Sequence, residues 1–244
     1  MSVDEEGNGL RRARTVVLIN PNTSPATTAM MAAVVREELG GFAVRAVTAV
    51  RGPGMIVSAD ELRAAAEEVV AAALRTGIEG VAAFVVGAFG DPGVEELRAV
   101  LSGAEAGPRS VQPGAEPVPV PVLVVGIGEA ALLEAADTAF GVVTTTPELV
   151  EATAARVEAL GLTDRCTGIR CTEGDPHELA GMPDVQRERL AAAVELCARR
   201  DGARQVVIGG GPLTEAAALL DGRCAVPLIV PVAAACRRVR RVLG

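Results

Sequence analysis

The chain has 244 residues, half of them hydrophobic, enough for one large or two small cores. It contains no Lys, Trp or Tyr and one histidine, His177; a Schiff-base lysine is excluded, and a Ser-His-Asp triad could run only through that residue. A formal net charge of -8, with no basic stripe interleaved with aromatics, argues against a nucleic-acid partner.

Residues 1–14 are polar and of both charge signs, so no signal peptide is expected. "TVVLIN" (15–20) reads as a strand, and "SPATTAMMAAVVREEL" as the helix after it, with Ser24 as N-cap and Pro25 in its first position. "FAVRAVTAV" is the next strand. The helix "SADELRAAAEEVVAAALRTG" is amphipathic, and Ser58 followed by Glu61 forms a capping box. "VAAFVV" (81–86) is a buried strand that breaks into "GAFGDPG". A short helix near 94–101 follows, then a Gly/Pro/Ala-rich surface loop over 102–119. "PVLVVGIG" resumes the sheet pattern.

In the second half "FGVVTTT" is a strand, "PELVEATAARVEALG" a helix and "CTGIRCTE" a strand. "EGDPHELAG" reads as a polar loop that leaves His177 at the surface. The helix "DVQRERLAAAVELCARRDG", the strand "QVVIGGG", the helix "PLTEAAALLDG", the strand "VPLIVP" and a last helix complete the chain. Strand–helix alternation makes the class α/β with parallel sheets. The interval from Asn20 to Ala88 nearly equals that from Thr144 to Gly210. This predicts two similar Rossmann-like or flavodoxin-like lobes, related by a pseudo-twofold axis, each with a four-stranded sheet and with a cleft between them. The first lobe is expected over 1–128, completed by the last helix (232–244), and the second over 129–231.

Cys166, Cys171, Cys197, Cys224 and Cys236 are odd in number and unclustered, which fits neither a zinc site nor a secreted disulfide framework. No apolar run reaches the length of a membrane span. A cytoplasmic, self-associating protein without metal or cofactor is expected. The tail "CRRVRRVLG" reads as the cationic end of a last helix.

Four loops could carry chemistry. In "NPNTS", Asn20, Thr23 and Ser24 follow a strand and open a helix, which suits a small anion or carboxylate as well as simple capping. Thr144 and Thr145 in "VTTTP" repeat this design. Ala88 and Phe89 in "GAFGDPG", and Gly210 and Gly211 in "IGGGPL", stand in loops whose glycines let backbone amides approach a ligand. Facing polar loops suit a dicarboxylate or a cyclic imide. Asp91, Glu129 and Glu215 are the nearby carboxylates and the candidate catalytic groups. Each also has a plainer use: Asp91 as a helix cap, Glu129 and Glu215 as acidic residues favoured at helix N-termini. "GIGEAA" follows a strand but lacks the third glycine of a dinucleotide fingerprint.

Taken in order, "INPNTS", "GPGMIVSADE", "FGDPG", "PVLVVGIGEAA", "FGVVTTTP" and "VPLIVPVAAA" resemble the aspartate/glutamate/hydantoin racemase superfamily, most of all its hydantoin racemase branch. The resemblance covers the chain apart from its first residues and the 102–119 loop. It implies a cofactor-free reaction in which one cysteine from each lobe faces the substrate, one thiolate removing a proton next to a carbonyl and the opposite thiol returning one. Positions 88 and 210 are where the resemblance places these cysteines, and this chain has Ala88 and Gly210 there. Cys171 is the one remaining cysteine with a plausible view of the cleft, and a small core residue is the plainer reading. The expected function is an isomerase, lyase or cyclase that stabilises an enolate or oxyanion without the thiol pair; the alternative is a ligand-binding or partner protein on the same scaffold.

Overall fold

The computed structural model describes residues 15–105 and 122–244, apart from the side chains of 104 and 105. The N-terminal segment and most of the 102–119 stretch lie outside the described residues; 102–105 are the end of a helix.

Among the described residues eight strands form two sheets of four, all parallel. The first sheet holds β1 (Thr15–Asn20), β2 (Ala43–Thr48), β3 (Val81–Val86) and β4 (Leu123–Gly126) in the order β2-β1-β3-β4. The second holds β5 (Phe140–Thr144), β6 (Cys166–Cys171), β7 (Gln205–Ile208) and β8 (Leu228–Ile229) in the order β6-β5-β7-β8. The two orders are the same once the strands are renumbered, so the expected pair of four-stranded parallel sheets is present. The central strands β1 and β5 are buried almost throughout, as their unbroken apolar runs predict.

Helix α1 (Pro25–Glu38) starts as expected, with Ser24 Oγ accepting from the Thr27 N–H at 3.2 Å. Helix α2 (Ala59–Thr76) carries the full Ser58–Glu61 capping box. Alternation along the strands then divides the core. Val17, Ile19, Phe84 and Val86 face α2 and α3 (Val94–Glu105) on one side of the first sheet. Val16, Leu18, Ala83 and Val85 face the other side, where α1, α4 (Ile127–Glu134) and α9 (Pro231–Leu243) pack. This second cluster runs on without a break into Phe140, Val142 and Val207, so the two halves share a core rather than merely touching. Helix α5 (Val150–Ala159) packs on β6 and reaches the same cluster through Val157. On the far side of the second sheet, α7 (Pro183–Arg200) and α8 (Thr214–Leu220) cover Val143, Val206 and Ile208.

The chain's last helix returns to the first half. α9 packs on α4, α1 and β4, and Arg237 grips Glu134 of α4 through two hydrogen bonds of 2.9 and 2.6 Å. The boundary expected at residue 128 falls inside the first turn of α4. One local reading needs correction: 176–180 of the "EGDPHELAG" stretch is a short helix, α6 (Pro176–Ala180), capped by Asp175. His177 is exposed on it.

Candidate active site

Parallel strands deliver their carboxyl ends to one edge, where loops from both sheets meet. The halves end their third strands in the same way. After β3 the N–H of Gly87 donates to the carbonyl of Ile19 at 2.8 Å; after β7 the N–H of Gly209 donates to that of Val143 at 2.7 Å. Ala88 and Gly210, each one residue further on, are therefore equivalent positions. Both are half-buried, and both line a cleft of about 420 Å³ between the two sets of loops.

The two glycine turns touch. A side chain on Gly211 would bring its Cβ to 2.7 Å from the Gly87 carbonyl oxygen and 3.0 Å from Met31 Sδ. Glycine is required there because two backbones approach each other. Gly210 is different. Its φ of 164° is extended backbone that any residue adopts, and an added Cβ would meet first the Leu213 side chain, at 3.1 Å. The backbone does not demand glycine at 210.

Of the residues singled out in the sequence, Ser24, Ala88, Phe89, Thr144, Thr145, Gly210, Gly211 and Glu215 line the cleft. Asn20 and Thr23 do not; they hold the wall from behind. Asn20 is fully buried, and its Nδ2 donates to Asn22 Oδ1 at 2.7 Å and Thr28 Oγ1 at 2.9 Å, fixing the turn that presents Asn22 and Ser24. The Thr23 N–H donates to the Pro53 carbonyl at 2.9 Å and so anchors the loop that brings Met55 and Ile56 to the cleft. Cys171 is not a lining residue either, and neither is any other cysteine. Burial pushes the Cys171 thiol above its ordinary range, and pushes Cys197 up to about 11 and Cys236 up to about 12, so none of these three is a poised thiolate.

Asn22, Thr27, Met30, Met55, Ile56, Leu149, Thr153 and Gln186 also line the cleft and were not singled out. Asn22 and the 54–56 residues lie in stretches already notable in the sequence. Gln186, in the first turn of a helix with a polar face, offered no signal. The wall is thus hydroxyl, amide and apolar. Glu215 is its one ionisable lining side chain among the described residues, and it is exposed. The N–H groups of Ala88, Phe89 and Thr145 find no acceptor among the described residues.

Asp91 and Glu129, expected near the chemistry, are outside this wall. Asp91 is buried, with φ of 51°, a left-handed conformation that Asp tolerates better than bulkier residues. Its carboxylate caps not the following helix but α4, accepting from the N–H of Gly128 at 2.8 Å and of Glu129 at 2.6 Å. Burial pushes the Asp91 carboxyl up to about 7, against the downward pull of those donors and of Arg156. Glu129 accepts from Arg156 at 2.9 Å and from Arg98 at 3.1 Å. No group of three or more His, Cys, Asp or Glu among the described residues could hold a metal, and no helix among them is long and apolar enough to cross a membrane.

Two matched parallel sheets around a cleft fed by equivalent glycine turns define a racemase-type fold. Residues 16–239 match the Asp/Glu/Hydantoin racemase family, and the chain belongs to it. It is 26% identical over 226 residues to the hydantoin racemase of Paenarthrobacter aurescens, covering 91% of this chain and 88% of that one. Among solved structures it is similar to allantoin racemase from Klebsiella pneumoniae, with a TM-score of 0.79 and 27% identity over 94% of this chain and 87% of the other. It shares its fold with a maleate cis-trans isomerase from Nocardia farcinica, at a TM-score of 0.67 and 17% identity over 94% and 92% of the two chains.

Proposed function

We propose that this chain is a cofactor-independent enzyme acting on a small carboxylate, imide or carbonyl compound by stabilising an enolate or other oxyanion, without a two-thiol proton exchange. The observation that carries the reading is the pair Ala88 and Gly210, equivalent positions facing one cleft, neither able to move a proton through its side chain. The donors needed for an oxyanion are at hand. The N–H groups of Ala88, Phe89 and Thr145, which have no acceptor among the described residues, and the hydroxyls of Ser24, Thr144 and Thr145 are the donors this reading assigns to the oxyanion. Among the described residues no Arg or His lines the cleft, which favours a neutral ring imide or a monoanion over a dianion. The names of its relatives, hydantoin and allantoin racemases, point to ring compounds of that kind. The reaction would be an isomerisation, elimination or cyclisation, with the proton carried by Glu215 or by water. Asp91 and Glu129 would serve it at one remove. A cytoplasmic homo-oligomer with no nucleic-acid partner completes the reading.

A second reading, a ligand-binding protein without turnover, is favoured by one fact: among the described residues the single ionisable lining side chain, Glu215, is exposed. The two are separated by titrating purified protein with 5-benzylhydantoin and 2-phenylpropionate and following each by NMR and chiral chromatography. Binding with turnover supports the enzyme. Binding without turnover of either compound supports the second reading, and failure to bind either counts against both.

A further inference from the structure

Behind the cleft lies a cluster of charged side chains in which one member is out of place. Asp91, Glu95 and Arg98 come from α3 and the loop before it, Glu129 from α4 and Arg238 from α9, all elements of the first half. Arg156 alone comes from the second half, from α5. It enters this nest with Nη2 at 2.9 Å from Glu129, Nε at 3.4 Å from Asp91 and Nη1 at 3.9 Å from Glu95. Arg98 braces the same carboxylates, at 3.1 Å from Glu129 and 2.9 Å from Glu95, and Arg238 lies 4.0 Å from Glu129. The side chain of Asp91 is 1% exposed, that of Glu129 10% and that of Arg156 20%, so solvent screens this junction little.

Both ends of the junction sit within one helical turn of the cleft. Asp91 follows Phe89 by two residues, and Arg156 follows the lining residues Ala152 and Thr153 by four and three. The N-terminus of α4, capped by Asp91, presses on the same loop: a Cβ at Gly128 would run into the Phe89 carbonyl oxygen. We propose that Asp91, Glu129 and Arg156 form a strut between the halves that holds the 87–90 wall and the 144–153 wall of the cleft at their working separation. This makes them positioning residues, acting on a ligand only through the walls they join. The inference uses the cleft as the ligand site, and so rests on the preceding reading, but the strut itself is tested without ligand.

The test is hydrogen exchange followed by mass spectrometry on the full chain, comparing wild type with Arg156→Gln and Arg156→Lys. In Arg156→Gln, peptides spanning 87–93 and 144–156 should both accelerate at least about tenfold more than α2 and α7 on the outer faces, which speed up only through the loss of global stability. Arg156→Lys, which retains the charge without the fork, should fall between. Should Arg156→Gln fail to fold, Asp91→Asn replaces it, with the same two walls expected to loosen. An unchanged 87–93 wall, or equal acceleration of all peptides, overturns the strut. A second arm titrates 5-benzylhydantoin: a wild type that binds it should lose at least about tenfold in affinity with Arg156→Gln. Unchanged affinity overturns the positioning role. A wild type that does not bind counts against the ligand reading alone, and the exchange arm still decides the strut.

Discussion

The cleft and the cluster behind it are opposites built on the same loops. At the cleft, positions 88 and 210 are small and inert, and the wall offers hydroxyls, amides and backbone donors with one exposed carboxylate. A few residues away, buried carboxylates and guanidinium groups are paired, although Arg156 Nε, 3.4 Å from Asp91, makes no hydrogen bond. Among the described residues, charge is kept in the scaffold and, Glu215 apart, left out of the chamber. The lesson is that a strongly perturbed acid beside a cleft, as Asp91 is, need not be its acid–base group; here its partners are two backbone N–H groups and an arginine from the opposite half.

The contrast predicts a hierarchy of effects. Removing the guest arginine should cost most. Arg156→Met leaves two largely buried carboxylates short of a cation, and should lower the unfolding free energy by about 4 kcal/mol in urea titrations. A loss under about 1 kcal/mol would mean Arg98 alone satisfies the cluster.

Next comes pH. Burial disfavours the charge of Asp91 and pushes its carboxyl from an ordinary 3.8 up to about 7 in the fold. Between these values the folded state holds a proton that the unfolded state has released, so this group's contribution is full below pH 4, falls as pH rises through 7 and is flat above. The stability of wild type relative to Asp91→Asn should therefore decline by roughly 4 kcal/mol from pH 4 to pH 8. A relative stability that rises over this range would show the arginine and N–H donors outweighing burial.

Smaller still is the effect at the glycine turns, where the halves touch. Gly211→Ala forces a Cβ against the Gly87 carbonyl and should destabilise by about 2 kcal/mol. Gly210→Ala meets first a movable Leu213 side chain and should stay within about 0.5 kcal/mol of wild type. Equal costs at the two positions would erase the distinction between a required glycine and an optional one.

The sheets were legible because β1, β3, β4 and β7 are largely apolar runs next to Gly or Pro, and α1 and α2 because their caps are local in sequence. The equivalence of 88 and 210 was legible from spacing, since both follow the third strand of a repeated unit. What could not be read depends on distant partners. Asp91 caps a helix 37 residues further on, and nothing in "GDPG" says so. Asn20 looked like a ligand group, but a short polar residue at a strand end can equally serve the turn it begins. Helix α6 was hidden by its five-residue length between Asp175 and Gly181, too short for a periodic signal. Met55 and Ile56 reach the cleft from a loop, where apolar residues carry no period to interpret.

The central claim, a racemase scaffold with its proton-moving pair absent, is tested most directly by α-proton exchange of both enantiomers of 5-benzylhydantoin in deuterated water. Wild type should give no exchange above background, and the Ala88→Cys/Gly210→Cys double variant should exceed it by about 10² or more, with each single variant racemising far less. Rapid exchange of both enantiomers by wild type, or no gain in a double variant that folds and binds the compound, would contradict the account.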